Sequence, residues 1–513
     1  MGVRSAILGW LQRGTPEQAK PVRRRMYEGA KFSRLTADWV TGNTSADSEV
    51  YGSAQKLRDR ARQLCRDNDY ARQALRAIEG NVVGQGIPFQ AQVRMQRGGG
   101  RLDATINDQI ELAWKRWTKA RYCHTGGKLT FHDIERLVIR ACAESGEVFV
   151  RVVKQSFGGS PVPLALEVLE ADLLDDGLNG RSQQGNEIRM GVEVDTWGRP
   201  VAYHFLAYHP GDYQFSNQQI STQRHKRVPA EEVIHLYRTE RPGQTRGVTW
   251  FASAIQRLHH LQGYEQAEVV RARASSALMG FITSPEGELQ GDEVYQGERV
   301  SSFEPGVFKY LAPGESVSVP QLDAPDGQFE PFLRAMLRAM AAGVGCSYET
   351  VSRDFSQTNY SSSRLSLLED RDHWRILQNW LIENLHQRVF EVWLDMAVLS
   401  GALPLANYEI QADRYKAVRW MPRGWAWVDP AKEVEAYASA VRNGFKTLSE
   451  VVAEQGGDIE ELMQARRQEL DDAEALDLKF DTDPGADVAP AGNPQPANDN
   501  VSDNPDNTDG SIA

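Results

Sequence analysis

The sequence predicts an α+β protein in which a block of strands is set between helical segments. Apolar residues alternate with a period of two across residues 146–238, whereas before and after that block they recur every three or four residues. Residues 364–400 contain neither Gly nor Pro and predict a single long helix. A chain of 513 residues is also long enough to hold more than one domain-sized unit.

The composition is that of an ordinary soluble protein. Hydrophobic residues make up 41% of the chain and charged residues 25%. The sequence has no uninterrupted apolar run long enough to cross a bilayer, so we expect a cytosolic product with no membrane partner. The cysteines are scattered without a Cys-x-x-Cys pair, which predicts reduced structural thiols. They are Cys65, Cys123, Cys142 and Cys346.

The formal net charge of -12 is unevenly distributed along the chain. Residues 469–513 carry 12 Asp and Glu against one Lys, whereas residues 1–101 carry 18 Lys and Arg against 9 Asp and Glu. Residues 481–513 have too few apolar side chains to bury a core, which predicts a disordered acidic tail. The basic arm at residues 1–50, densest at Arg23 to Arg25, indicates either a nucleic-acid contact or docking on a neighbouring subunit.

The periodicity predicts the following elements in chain order. Three helices precede the strand block, at residues 53–81, 105–121 and 131–144. The strands are predicted at residues 147–154, 164–169, 188–194, 201–207 and 233–238. Further helices are predicted at residues 249–279, 328–342, 431–442, 448–455 and 459–476, besides the long one, whose apolar stripe ends at Leu399. A short extended piece is predicted at residues 307–311. Arg58 is predicted on the outer face of the first helix.

Two groups of side chains are candidate metal sites. Five carboxylates cluster at the strand ends: Glu167, Glu170, Asp172, Asp175 and Asp176. A two-metal nuclease needs carboxylates that converge on ions about 4 Å apart, but no accompanying Lys or His motif is present, which favours a solvated strand end. Cys123, His124, His132 and Cys142 match no zinc-finger spacing. Gly98 to Gly100 lacks the Lys-Ser/Thr of a phosphate loop, so we expect no metal, no cofactor and no enzyme activity.

The chain is organised around a helix, a polar loop and the long helix. The helix at residues 328–342 is predicted to stop at Gly343 and Gly345. Residues 347–363 then form a loop rich in hydroxyl and amide side chains. An alternative hypothesis is a soluble adaptor whose long helix forms a coiled coil. It requires a regular heptad repeat, and the apolar stripe of this helix is too irregular for one.

Several stretches resemble one family of viral proteins. Phe355-Ser356 with Asn359-Tyr360-Ser361-Ser362, followed by Arg364, is similar to the tunnel-loop region of lambda-type phage portal proteins. The stretches 68–84 and 420–447 also resemble that family, and the resemblance covers roughly residues 50–480.

This resemblance implies a portal fold made of named parts. They are an arm (1–50), a β-rich wing (51–248), a first stem helix (249–280), a small clip (281–325), a second stem helix (326–345), a tunnel loop (346–363), a long helix returning to the wing (364–428), a helical crown (429–480) and the tail (481–513). The resemblance further implies assembly as a ring, a dodecamer, at one capsid vertex.

The resemblance also implies the function and the partners. Double-stranded DNA would pass through the ring during packaging and ejection, without sequence-specific contacts. The protein partners would be the terminase large subunit, the major capsid protein and a head–tail completion protein. The protein would be found in the virion, and in the host cytoplasm during assembly. The competing hypothesis is a metal-dependent DNA-processing enzyme that uses the acidic cluster at residues 167–176.

Two sets of residues are predicted to carry the portal function. The loop that would line the channel contributes Arg353, Ser356, Gln357, Thr358, Asn359, Tyr360 and Ser361. Residues predicted to pack the stem or to line the channel are Arg271, Arg273, Arg334, Leu337 and Arg338. Phosphates attract Lys and Arg strongly, whereas hydroxyl and amide groups can contact a duplex weakly and let it slide.

Overall fold

The structure is a computed structural model. It describes residues 34, 37–38, 41–95, 102–212, 225–276, 281–283, 293–295, 298–300, 316–318, 329–356, 359–425, 430–455, 457–476 and 478. The chain divides into two units, Met1–Ser45 and Ala46–Ala513, and every element below belongs to the second. The basic cluster at Arg23 to Arg25 and the acidic tail predicted at residues 481–513 lie outside the described residues.

Two helices open the second unit, where the sequence predicted one over residues 53–81. Helix α1 spans Ala46–Asp67 and helix α2 spans Asp69–Val82. They are separate because the side chain of Asn68 accepts a hydrogen bond from the backbone N–H of Ala71 and so caps α2. An Asn within an otherwise helical pattern is the sequence signal for such a break.

The next elements match the predicted helices at residues 105–121 and 131–144, with one difference. They are β1 (Phe89–Ala91), α3 (Ala104–Trp117), α4 (Ala120–Cys123) and α5 (Phe131–Ser145). The first predicted helix is two, because the chain turns at Thr118 between α3 and α4. Thr130 and Asp133 form a capping box at the start of α5, and Gly146 ends that helix with a φ of 94°.

Two antiparallel sheets form the strand block. Its strands are β2 (Glu147–Val153), β3 (Ala165–Leu169), β4 (Gly180–Arg181), β5 (Glu187–Arg189), β6 (Val192–Val194), β7 (Pro200–Leu206), β8 (His225–Pro229) and β9 (Val233–Tyr237). In the three-stranded sheet, β2 lies between β3 and β9, whereas β4 to β8 form the second sheet in chain order. A small core that includes Phe149, Tyr203 and Phe205 contains residues of both sheets.

The strand predicted over residues 188–194 is instead the tight hairpin of β5 and β6. Met190 and Gly191 both have positive φ, 48° and 83°, as a two-residue hairpin turn requires. Gly191 also sits close to other backbone, since a Cβ there would lie 2.9 Å from the carbonyl oxygen of Asp175. Strand β8 was not predicted.

A pair of helices in contact follows the strand block. Helix α6 spans Ile255–Ser276; the next elements are β10 (Phe281–Thr283), β11 (Glu293–Tyr295), β12 (Glu298–Val300), β13 (Ser316–Ser318) and α7 (Phe329–Val344). The Tyr264 ring on α6 lies 5.8 Å from Phe329 on α7. Helix α7 runs through Gly343, contrary to the prediction, and ends before Gly345, whose φ is 79°. The extended piece expected at residues 307–311 lies outside the described residues.

The long helix is confirmed, but its buried face changes position halfway. After α8 (Tyr348–Ser352), the helix comprises α9 (Tyr360–Leu381), a π turn (Ile382–His386) and α10 (Gln387–Leu399). The π turn adds one residue, which rotates the buried face by about 100°. Trp393 and Ala397 are therefore buried, whereas Leu399, predicted on the apolar stripe, is 80% exposed.

The remaining elements are α11 (Tyr408–Tyr415), β14 (Val418–Trp420), α12 (Pro430–Arg442), α13 (Leu448–Glu454) and α14 (Ile459–Ala475). Strand β14 pairs with β1 and so returns the chain to the first helices. Helices α12 to α14 agree with the three predicted at residues 431–476. Gly424 allows close packing, since a Cβ there would lie 2.7 Å from the backbone of Gln455.

One large apolar core joins most of these helices to the three-stranded sheet. Trp114 of α3 is its aromatic centre, with its ring within 5.6 Å of Phe89, Phe390 and Trp393. The four cysteines are buried and free. Within the described ranges, no helix combines the length and the apolar character that a membrane span requires.

Candidate functional site

The loop predicted at residues 346–363 is partly helical in the structure. Helix α8 ends at Ser352 and helix α9 begins at Tyr360; residues 353–359, between them, are here called the polar segment. Tyr360 and Ser361 belong to the first turn of α9, and the backbone oxygen of Asn359 accepts a hydrogen bond from the N–H of Ser363 at 3.0 Å. Local side-chain capping at Ser347, which accepts from the Thr350 N–H, makes residues 348–352 a helix.

A buried carboxylate on α9 fixes the first end of α8. Asp370 accepts hydrogen bonds from the Ser347 N–H at 2.8 Å, from the Ser347 hydroxyl at 2.6 Å and from the Thr350 hydroxyl at 2.7 Å. Its side chain is buried. Because the carboxylate is buried, these three hydrogen bonds replace the solvation that water would otherwise provide. Asp370 therefore ties α8 to the long helix.

A second carboxylate fixes the start of the polar segment. Asp354 accepts from the Tyr348 hydroxyl at 2.8 Å and from the Ser356 N–H at 3.0 Å. Arg334 of α7 lies 3.8 Å away. Hydrogen bonds from Ser356, then that from Tyr348, lower the pKa of Asp354 to about 2. The segment is thus anchored to both α7 and α8 at its first residues.

The exposed residues of the polar segment extend beyond this anchor. Arg353 has a left-handed backbone with a φ of 59° and closes α8, its N–H donating to the carbonyl of Glu349 at 3.0 Å. Ser356 and Asn359 are exposed as well. Gln357 and Thr358 lie outside the described residues. The described exposed residues of the segment therefore present one guanidinium, the Phe355 ring and two uncharged polar side chains.

The stem residues predicted from the sequence have different environments. Leu337 is 2% exposed and belongs to the large core of its own chain, so a charge there would disrupt the protomer itself. Arg334 forms ion pairs with Glu330 and Asp354. The remaining three lie at or near the surface: Arg338 is 5.5 Å from the Tyr348 ring, Arg271 is 2.9 Å from Glu268, and Arg273 is exposed.

The acidic cluster at residues 167–176 is neutralised by basic side chains. Asp172 contacts Arg58 at 3.0 Å and Arg62 at 2.6 Å. Asp176 lies 2.5 Å from Arg246. The other three have basic partners as well: Glu167 with Arg151, Glu170 with Arg62 and His209, and Asp175 with His225. Each carboxylate of the cluster therefore faces a basic side chain, which differs from an arrangement of carboxylates that converge on a shared metal.

The centre of this network is a glutamate that sequence reasoning did not single out. Glu147 is fully buried and contacts Arg246 at 2.6 Å, Arg58 at 3.3 Å and His235 at 2.9 Å. Burial raises the pKa of Glu147, but Arg246 and His235 outweigh it and hold that pKa well below its usual range. Arg58 was placed on the outer face of its helix, yet it is 1% exposed. We call Arg58, Glu147, Asp172, Asp176 and Arg246 the ion-pair cluster.

Within the described residues, one group of three side chains has the spacing of metal ligands. Ligand atoms of Glu170, Asp172 and His209 lie within 4.8 Å of one another. Arg62 already contacts both carboxylates. A cation at this position would compete with that guanidinium for the same oxygens.

Another buried carboxylate, that of Glu135, contacts the π turn. Glu135 of α5 contacts His386 at 2.9 Å and His132 at 3.1 Å, and it accepts from the Ile87 N–H at 3.2 Å. Burial raises the pKa of Glu135, but His386 and His132 lower it further than burial raises it. This contact explains why the long helix keeps its irregular turn, because His386 reaches Glu135 from there.

Comparison with known proteins assigns the chain to a family. The model described as "Phage portal protein, lambda family" matches residues 32–378, a range that includes both helices of the α6–α7 pair and the polar segment. The chain belongs to this family. Its function is therefore that of a portal, the head-to-tail connector of a phage particle.

Individual relatives agree with this assignment. A protein named "Probable portal protein" of Halomonas phage phiHAP-1 is 30% identical over 452 residues, covering 86% of each chain. "Portal protein B" of Escherichia phage lambda is 22% identical over 487 residues, covering 88% of this chain and 90% of its own length. The portal protein of Escherichia phage N15 is 22% identical over 483 residues, covering 88% of this chain and 90% of its own.

Chains of gene transfer agent particles are among the solved structures that are similar to this chain. A chain from "Neck of native GTA particle computed with C12 symmetry" has a TM-score of 0.42 and 13% identity, with coverage of 77% of this chain and 92% of that chain. A chain from "Neck of empty GTA particle computed with C6 symmetry" has a TM-score of 0.43 and 13% identity, with coverage of 83% and 98%.

Proposed function

We propose that copies of this protein form a closed ring at one capsid vertex, through which double-stranded DNA is packaged and ejected. The observation that carries the proposal is the match of residues 32–378 to the lambda portal family. A closed ring needs head-to-tail contacts that return to the first subunit, and the family resemblance implies a dodecamer. The protein then belongs to the virion, after assembly in the host cytoplasm.

The proposed wing, stem, clip and crown of the portal each correspond to a set of described elements. The two sheets and helices α1 to α5 make the wing, and the α6–α7 pair makes the stem. The described strands between those helices, β10 to β13, fall within the proposed clip. Helices α12 to α14 make the crown. In this scheme Arg271, Arg273 and Arg338 pack the stem or line the channel, since none of them is buried within the protomer.

The polar segment is proposed to face the DNA. Its anchored base, held by Asp354 and Asp370, fixes where the exposed residues stand. Hydroxyl and amide groups form weak, neutral contacts with phosphates, and Arg353 adds one charge per copy. A duplex passing such a surface keeps the general attraction of cations for phosphate without a strong local site. Weak contact is the property that translocation requires.

Three protein partners follow from this placement. The terminase large subunit would dock on the ring during packaging and supply ATP hydrolysis. The major capsid protein would surround the ring at the vertex. A head–tail completion protein would replace the terminase once the genome is inside.

The experiment that tests the polar segment replaces Ser356, Gln357, Thr358 and Asn359 together by alanine. Asp354 and Asp370 are retained, and so are the Tyr348 hydroxyl and the Ser356 N–H that bond Asp354; only the bond from the Ser356 hydroxyl is lost. We expect rings by negative-stain electron microscopy in normal yield, and particles that package or retain less DNA. The matched control substitutes four exposed amide residues elsewhere: Gln55, Gln63, Gln109 and Asn379. Full genomes in the segment variant would refute its role, whereas absence of rings from the unmodified protein would refute the ring.

A further inference from the structure

An exposed basic surface lies at the end of α3, on α4 and on the turn that follows α4. Residues 112–130 contain five Lys and Arg and neither Asp nor Glu. All five side chains are exposed. We call them the basic patch: Lys115, Arg116, Lys119, Arg121 and Lys128.

Hydrogen bonds gather these residues into one surface. The carbonyl of Thr118, between α3 and α4, accepts from the Cys123 thiol at 3.3 Å and from the Phe131 N–H at 3.0 Å. The chain therefore returns to its starting point within thirteen positions, about one small loop. The Lys128 N–H also donates to the His124 ring at 3.2 Å. Lys128 thus lies on the same loop as Lys119 and Arg121.

Among the described residues, no carboxylate neutralises the charges of the basic patch. No ion pair within 4.0 Å joins its five cations to a described carboxylate. The flanking carboxylates are otherwise engaged: Glu111 accepts from the Ala91 N–H at 2.8 Å, and Asp133 is bonded to Thr130 and Arg136. The Arg121 guanidinium lies over the Tyr122 ring at 4.4 Å, which leaves its charge free to act outward.

The dipole of helix α3 accounts for only part of this clustering of cations. Lys115 and Arg116 lie in the last turn of α3, where cations are favoured by the helix dipole. Lys119, Arg121 and Lys128 follow that helix and gain nothing from its dipole. Lys119, Arg121 and Lys128 are three exposed like charges beyond that helix, and a bound anion would reduce their mutual repulsion.

We propose that the basic patch binds the phosphate backbone of duplex DNA on the outer surface of the protein, as a second DNA contact distinct from the channel. The competing anion is the chain's own acidic tail. Residues 481–513 carry seven Asp among 33 positions, so an extended tail offers about one charge per 15 Å at ~3.3 Å per residue. Duplex DNA offers about one charge per 1.7 Å. Five clustered cations therefore favour the duplex.

The test uses covalently closed circular duplex DNA, which cannot thread through a closed ring. Loss of binding to it in a patch variant reports the patch rather than the channel, and unchanged binding there leaves the proposed ring untouched. The variant is the triple substitution Lys115→Gln, Lys119→Gln and Lys128→Gln in the full chain. Affinity is measured by filter binding over a series of salt concentrations.

Each neutralised phosphate contact contributes about 0.9 to the slope of log affinity against log salt. The triple variant should lower that slope by roughly 2 to 3 and weaken binding about a hundredfold near 0.1 M salt. The triple change of the same lysines to arginine should bind as the unmodified protein does.

The matched control removes the same charge from other exposed positions: Lys56→Gln, Arg60→Gln and Arg388→Gln. It should leave both slope and affinity within about twofold of the original. Equal losses in the two triples would show a non-specific effect of net charge and overturn the proposal. An unchanged slope in the patch variant would overturn it as well, as would competition by a free peptide of residues 481–513 at concentrations that match the DNA phosphate.

Discussion

Asp370 accepts three hydrogen bonds at the base of the polar segment, from donors 20 and 23 residues away in sequence. Replacing it by alanine leaves the Ser347 N–H and two hydroxyls without their acceptor in a buried position. We expect the free energy of unfolding to fall by about 2 to 3 kcal/mol. Chemical denaturation measures it.

The control for that change is Asp372→Ala on the same helix. Asp372 is 74% exposed and pairs with Arg375 at 3.2 Å, an arrangement that contributes less than about 1 kcal/mol. A loss for Asp370→Ala no larger than for Asp372→Ala would show that the anchor is dispensable.

Asp354 predicts a pH dependence at the same site. Its pKa falls from 3.8 to about 2 on folding, so its stabilising contribution is fully present above about pH 4 and is lost as the pH falls towards 2. We compare thermal midpoints of the unmodified protein and Asp354→Asn between pH 7 and pH 2. Their difference should be constant at higher pH and shrink in that acidic window; a difference that has vanished by pH 5 would contradict this.

At the scale of single elements, the long helix shows what a sequence pattern can and cannot predict. Its existence follows from the absence of Gly and Pro, but the π turn has no such signal. The burial of Trp393 and the exposure of Leu399 show that the apolar period shifts by one residue after the π turn. The slip depends on Glu135, which lies 251 residues away in the chain from His386. Periodicity within a window cannot detect a partner at that separation.

The candidate site shows the same limit. The polar composition of residues 353–359 was visible in the sequence, and so were the acidic residues Glu369 and Asp370, which lie within α9. That Asp370 binds Ser347, and that Arg58 turns inward to Glu147, depends on tertiary contacts. A single Arg on a helix gives the same pattern whether it is solvated or paired, so charge alone placed Arg58 outside.

The ion-pair cluster predicts a large cost for losing its central charge. Glu147→Gln removes the carboxylate that two buried arginines contact, and we expect a loss of about 3 to 5 kcal/mol in the free energy of unfolding. Glu167→Gln, on the neighbouring strand with a side chain 38% exposed, should cost less than about 1 kcal/mol. Thermal or chemical denaturation separates them, and similar losses would mean that burial does not set the effect.

The same cluster separates the portal from the nuclease hypothesis. Asp172→Ala removes the nearest carboxylate of both Arg58 and Arg62, so it should lower the thermal midpoint. Purified protein is incubated with duplex DNA and Mg²⁺ or Mn²⁺, with the variant in parallel. We expect no cleavage by either; metal-dependent cleavage that Asp172→Ala abolishes would establish the enzyme.

At the scale of the whole molecule, the sign of the net charge hides the surfaces that are proposed to bind DNA. Residues 1–101 are basic and residues 469–513 are acidic, so the overall value of -12 describes neither. Charge acts over about 10 Å at 0.1 M salt. A duplex near the basic patch therefore responds to five local cations rather than to distant carboxylates.

Truncation after Phe480 tests this separation of charge from fold. It removes seven Asp and no Lys or Arg, so the formal net charge changes from -12 to -5. The composition of residues 481–513 predicts no contribution to a packed core, and the thermal midpoint and ring yield should be unchanged. Elution from an anion exchanger should require less salt, and solubility should decrease because fewer like charges keep the particles apart. A lowered midpoint would mean that the tail packs on the body, and would require a docking surface for it among the exposed basic residues.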